Sequence, residues 1–220
     1  MWDAILGGVA TVAGAYFGSA AAFRFNRQQH EAERLGSQIE ECNRTILLLS
    51  LQYSVLENYN RQRLNEYRDS TGRHLLLRAS SRFEVEHLRL NPAALAFLLT
   101  TNAREVPAEV SILNDRFMNC VDVINARSRV HIDQYQPELE RAMANRDERL
   151  VPGNEVEKAI GIRLTQTLRS LTDDIYDRIP ETMRDISDAA PSLHSRLVQV
   201  FPGQPIITFQ AAIKQDEPTS

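Results

Sequence analysis

Residues 4 to 23, AILGGVATVAGAYFGSAAAF, form the one stretch without a formal charge that is long enough to cross a bilayer, with Arg24 and Arg27 directly behind it. About 20 apolar or small residues, rising 1.5 Å each, match the roughly 30 Å hydrocarbon core of a membrane. A chain that carries such a segment must bury it in lipid, in protein or in another copy of itself. Only Met1, Trp2 and Asp3 precede it, whereas Arg24, Arg27 and Arg34 follow. The positive-inside rule therefore predicts an outward N-terminus and a cytoplasmic C-terminal bulk. A cleaved secretory signal would open on a basic n-region, which this chain does not have. A buried soluble helix would not carry so many glycines, which are poor helix formers.

Ala10, Gly14, Gly18 and Ala22 recur every four residues, beside a second small stripe of Gly7, Thr11, Ala15 and Ser19. In lipid, small faces let helix backbones approach closely and gain dispersion contacts. The span is therefore expected to pack against itself or another membrane helix. Arg24 and Arg27 form the expected interfacial anchor, meeting anionic head groups.

The remainder is soluble in character and large enough for one domain with its own core. A net charge of −4 gives no footprint for nucleic acid, which calls for a basic surface to displace phosphate counterions. Of 25 basic residues only Lys158 and Lys214 are lysines, a bias that fits a GC-rich bacterial genome. Cys42 and Cys120 fall at apolar positions of helical patterns and read as small core residues.

Periodicity makes the chain almost wholly helical. Leu35, Ile39, Cys42, Ile46, Leu49, Tyr53 and Leu56 alternate steps of four and three, the spacing of a coiled-coil or bundle seam. The same steps run back through Ala32, Gln28, Phe25 and Ala21 into the span, with no proline before Pro92, so a continuous rod from Trp2 to Asp69 is predicted. Gln28 and Asn60, polar at seam positions, are expected to fix register. Ser70-Thr71-Gly72 ends the rod. Ser81-x-x-Glu84 predicts a capped short helix to Leu90, with a short strand as the alternative because Phe83 and Val85 alternate, and Asn91-Pro92 predicts a second helix to Thr101. Pro107 opens a long helix that Pro137 should kink or break, and Pro152-Gly153-Asn154 reads as a turn. A further long helix follows, interrupted at Pro180, then a last one from Pro191 to Phe201. Ile206-Ile207-Thr208-Phe209 is suited to docking as an extended segment.

The fold expected is all-α: an anchor at 1–23, a cytoplasmic antiparallel bundle of three or four long helices at 24–201, and a partly disordered tail at 202–220.

Catalytic signals are sparse. Glu84-x-x-His87 has the spacing of a di-iron half-site, but no second copy exists to complete it, and no zinc signature or glycine-rich phosphate loop occurs, so no cofactor is expected. Asp173, Asp174 and Asp177 read as a solvated face, and His131 and Tyr135 as seam-edge residues bonded within the bundle. Arg82-x-x-x-x-His87 and Arg68 with His74 resemble the Arg-x(4 to 6)-His motif of HEPN ribonucleases, themselves helical bundles. That resemblance implies that Arg82 and His87, or Arg68 and His74, activate an RNA 2′-hydroxyl across a dimer. The motif recurs at Arg24 to His30, where it has no catalytic use, and a chain so rich in arginine produces it by chance. The leading expectation is a bacterial inner-membrane protein working by interaction, a scaffold or subunit of a membrane complex without an enzymatic site. A membrane-tethered HEPN-like RNase and an oligomerising membrane effector are the alternatives.

Overall fold

The computed structural model describes the backbone of residues 2–144 and 153–209, and the side chains of 22–144 and 153–209. Among these residues the chain is all-helical, with no strand. Helix α1 runs Trp2–Tyr59, α2 Arg73–Leu76, α3 Val106–Val130, α4 Gln136–Met143, α5 Gly153–Ile160 and α6 Ile162–Val200. Three of these are long. Cys120 meets Thr182 and Arg116 meets Asp185, whereas Arg127 meets Thr172, so α6 runs antiparallel to α3. The seam residues Ile39 to Leu49 share a cluster with Val106 to Leu113 and Ile186 to Leu197, while Leu56 and Tyr59 share one with Phe117 to Ile124 and Ile175 to Ile179. Helices α1 and α3 therefore run the same way, both antiparallel to α6. The uniformly antiparallel bundle expected from short connections gives way because residues 60–105 carry the chain back across the bundle before α3 begins.

Seam burial follows the four-and-three spacing from Ile39 onward, whereas Leu35, the first predicted seam residue, is 37% exposed because it stands clear of the bundle. Ile39, Cys42, Ile46, Leu49 and Leu56 are buried while Leu47 and Leu51 face outward. Both thiols are free and buried, and burial pushes Cys42 up to about 12 and Cys120 upward, so both stay protonated core residues. The rod persists past Tyr59 through a π turn at Asn60–Leu64 and a 3₁₀ turn at Asn65–Tyr67.

Prolines behave differently from expectation. Pro180 and Pro191 lie inside an unbroken α6. Each costs roughly 3 kcal/mol in a helix interior, but Ile175, Ile179, Ile186, Leu193 and Leu197 are buried along the same helix, and each such side chain contributes roughly 1.5 to 3 kcal/mol. Packing on two neighbours outweighs the missing hydrogen bonds. At Pro137 the chain does not break either. A π turn at His131–Tyr135 widens the helix ahead of Pro137, which then occupies the first turn of α4.

The crossover is less helical than predicted. The capped helix from Ser81 to Leu90 is absent: 79–85 is extended or irregular, with only a 3₁₀ turn at Glu86–Leu88. Asparagines on the long helices take the place of local hydrogen bonds. Asn125 Oδ1 accepts from the Phe83 N–H at 2.9 Å and its Nδ2 donates to the Phe83 carbonyl at 3.3 Å. Asn114 Oδ1 accepts from Leu90 N–H at 2.9 Å, and Gln52 Nε2 donates to the Leu88 carbonyl at 2.9 Å. The alternation of Phe83 and Val85 fits this extended backbone, but the helix side chains that hold it leave no periodic signal. Asn91-Pro92 does open a helix, of 3₁₀ form, over Pro92–Thr100.

The C-terminal segment docks as expected. Ile206 and Phe209 pack on the first core cluster, and Asn43 bonds the backbone at Pro205 and Ile207.

Among the described residues no helix is long and apolar enough to cross a membrane. The predicted span at 4–23, with Ala10, Gly14 and Gly18, falls almost wholly on side chains outside the described residues. Ala22, Arg24 and Arg27 are exposed on α1, and Arg27 pairs with Glu31 at 2.9 Å.

Candidate functional site

The seam of α3, Leu113, Phe117, Cys120 and Ile124, continues its four-and-three spacing into Arg127 and His131. Both are buried, at 1% and 6% exposure. There the apolar interior gives way to a polar layer, faced by Thr172 of α6, His74 of α2, and Ser80 and Ser128. Tyr59, Tyr135 and Tyr176 complete it, and the π turns after α1 and after α3 lie beside it. Such turns favour functional positions because they re-aim side chains without ending the helix.

Arg127 organises the layer. Its Nε donates to Thr172 Oγ1 at 3.0 Å, and its Nη2 donates to the His74 carbonyl at 3.1 Å and to the Leu77 carbonyl. These carbonyls end α2, a single turn whose last C=O groups have no helical partner. A guanidinium satisfies them and offers positive charge to a helix C-terminus. No carboxylate pairs with Arg127 among the described residues. Burial brings it down to about 10, which leaves it charged at neutral pH.

Two shells surround it. His74 Nε2 lies 3.0 Å from Glu157 Oε1, which also takes Arg169 Nη2 at 2.9 Å. Burial lowers the His74 pKa first and the Arg169 charge lowers it further, against the opposing pull of Glu157. Arg73 pairs with Asp173 at 2.7 Å and lies 4.4 Å over the Tyr176 ring, whose hydroxyl donates to the Leu64 carbonyl at 2.9 Å. The His131 ring packs at a 46° tilt against Tyr135, 4.8 Å between centroids, with its Nδ1 unpartnered. Burial, then the charge of Arg127, pushes its pKa down to about 4, so the ring is neutral at pH 7.

The residues singled out from sequence are distributed otherwise. Arg82 and His87 are both exposed and line one groove of about 490 Å³ with Tyr59, Arg63, Phe83 and Leu88, but no hydrogen bond joins them. Arg68 and His74 separate: Arg68 bonds Asn60 at 3.0 Å, while His74 is buried against α5. Gln28 is exposed, and a polar pair that is buried is Gln52 with Asn114, 3.5 Å apart. Asp173 and Asp174 pair with Arg73 and Arg178. His131 and Tyr135 do face the bundle interior. Among the described residues no group of three His, Cys, Asp or Glu converges to hold a metal ion.

Arg127, Thr172 and Glu157 were not anticipated. The signal for Arg127 was present, since an arginine at a seam position, three after Ile124 and four before His131, is a charge placed where burial is expected. The layer has hydrogen-bonded cations and neutral imidazoles but no nucleophile activated by a base. Its chemistry is that of a locking element, tying α2, α3 and α6 together.

Comparison with protein families, with curated proteins and with solved structures finds no match for this chain.

Proposed function

We propose that this protein is a membrane-anchored interaction subunit, held in a bacterial inner membrane by residues 4–23 and presenting its helical bundle to the cytoplasm. The reading rests on one observation. From Ala22 to Ser37 every residue of α1 is exposed, including Phe23 at 71% and Phe25 at 66%, and the side-chain bonds of this stretch are all within the helix. That is roughly 24 Å of helix at 1.5 Å per residue standing clear of the bundle. An isolated helix is marginal in water and needs an apolar face to pack against. A bilayer on one side and the bundle core on the other supply both ends. Arg24 and Arg27 then sit at the head groups, and Ala10, Gly14, Gly18 and Ala22 supply the face for a second membrane helix.

Membrane fractionation with reporters fused to the C-terminus tests this. The full chain is expected in the membrane fraction, resistant to carbonate and salt, with a reporter active only in the cytoplasm. Gly18→Ile should reduce crosslinking within the membrane while leaving the melting of the bundle unchanged. Periplasmic reporter activity, or a full chain that stays in the supernatant, overturns the proposal.

A further inference from the structure

Beyond the end of α1, the π turn at Asn60–Leu64 and the extended crossover at 79–85 enclose the groove of about 490 Å³. That volume falls within the roughly 300 to 1,000 Å³ of small-molecule sites, and π turns favour functional positions. One wall is apolar. Val55, Val85 and Leu88 line it, and the half-buried Phe83 ring meets Tyr59 edge-on at 5.5 Å and 75°. The bonds from Asn125 to the Phe83 backbone fix this wall against α3.

The charges at the groove are not neutralised from within. Arg63 enters from the π turn and Arg82 from the crossover, and among the described residues neither forms an ion pair or a side-chain hydrogen bond. Arginines that bridge helices elsewhere take carboxylates, as Arg116 does with Asp185 and Arg196 with Glu109. Glu84 is the one acidic residue lining the groove; it is exposed and pairs with neither arginine. The His87 ring adds a further N–H donor. Arg82 also borders a neighbouring cleft with Asp122 and Arg129, whose charges offset each other. Two free guanidiniums beside an apolar wall complement a doubly charged head on an apolar body, and their planar forks match phosphate oxygens. A phosphomonoester, with a charge of about −2 at neutral pH, satisfies both forks, whereas a monocarboxylate satisfies one.

We propose that this groove binds a small aromatic phosphomonoester, with Arg63 and Arg82 holding the phosphate and Phe83, Val85 and Leu88 covering the ring. The chain's net charge of −4, with Glu84 and Asp122 around the groove, opposes a long polyanion and favours a single phosphate over RNA. The groove lies at the far end of α1 from residues 4–23, and the proposal stands whether or not those residues enter a membrane.

The test uses the full chain in detergent micelles, with phenyl phosphate and adenosine 5′-monophosphate as probes, titrated calorimetrically at fixed ionic strength. Saturable binding of at least one probe is expected, and which of the two binds separates a simple aryl phosphate from a nucleotide. Inorganic phosphate, adenosine and benzoate, each lacking part of the ligand, should bind at least about tenfold more weakly. Arg63→Gln and Arg82→Gln should each weaken the probe about tenfold, the loss of one charge-assisted contact. Arg44→Gln removes the same charge from an exposed position of α1 outside the groove and should bind as the unaltered chain does. Thermal melts of each variant establish that the bundle is retained. Absence of saturable binding by both probes, or binding undiminished in Arg63→Gln and Arg82→Gln, overturns the site. An equal loss in Arg44→Gln would reduce the effect to net charge and overturn it as well. Benzoate binding as tightly as the phosphates overturns the phosphomonoester assignment, and tighter binding of a short single-stranded RNA than of either probe overturns the small-ligand class.

Discussion

Asn125 on α3 takes both backbone groups of Phe83, accepting its N–H at 2.9 Å and donating to its carbonyl at 3.3 Å. One side-chain amide thus stands in for a neighbouring β-strand. Without it two main-chain polar groups of the half-buried crossover after α2 would lose their protein partner. Asn125→Ala is expected to destabilise the bundle by about 1 to 3 kcal/mol, the cost of leaving such groups unpaired. Hydrogen exchange should locate the damage, with faster exchange at Phe83 and little change along α6. Uniformly faster exchange would show that the clamp is no local device.

Arg127→Met retains most of the buried volume but orphans the Thr172 hydroxyl and the carbonyls of His74 and Leu77. The expected loss is roughly 3 kcal/mol or more, since each buried unpaired group costs about 1 to 3 kcal/mol. Arg127→Lys should recover only part of it, because an ammonium lacks the planar fork that reaches three acceptors in two directions. Urea unfolding of the three chains measures both differences. Wild-type stability in Arg127→Met would mean that the layer is dispensable to folding.

His131 links stability to pH. Its folded pKa, pushed down to about 4, lies below the value of 6.5 that the group takes when unperturbed, so the unfolded chain binds a proton more readily. The stability contributed by the neutral ring is fully present above pH 6.5 and is lost as pH falls towards 4. His74, lowered for the same first reason, acts in the same direction. His131→Phe keeps the ring contact with Tyr135 and removes both the titration and the unpartnered Nδ1. Its melting temperature should exceed that of the unaltered chain by more at pH 5 than at pH 8. An equal difference at both would assign the acid sensitivity elsewhere.

Ile46 and Leu47 are adjacent in sequence and opposite in environment, at 2% and 51% exposure. Ile46→Ala should cost on the order of 2 to 5 kcal/mol, as large-to-small core changes do. Leu47→Ala should stay within about 0.5 kcal/mol, the usual effect of a surface change. Chemical denaturation of the pair checks the seam's register directly; a reversed order of costs would place the wrong face of α1 in the core.

The helices were legible in the sequence because their apolar residues repeat with the period of the structure they form. Ile39, Cys42, Ile46, Leu49 and Leu56 declare α1's buried face, and Leu113, Phe117, Cys120 and Ile124 declare that of α3, whatever the neighbours turn out to be. Burial of a face is a local pattern, and periodicity reports it. Local rules also predicted the docking of Ile206 to Phe209, since an apolar run beyond the last helix must find cover. What they misjudged was every point where a long-range partner changes the outcome. Pro180 looked like a stop, but α6 packs on both other long helices and runs through it. Ser81 and Glu84 looked like a capping box, but Asn125, far along the chain, offers the backbone at Phe83 a better partner. The seam position of Arg127 signals its burial, but whom it holds depends on where α2 ends and where Thr172 lies. Hydrogen bonds between distant segments have no period, so only the tertiary structure decides whom the buried polar residues hold and where the polar layer falls.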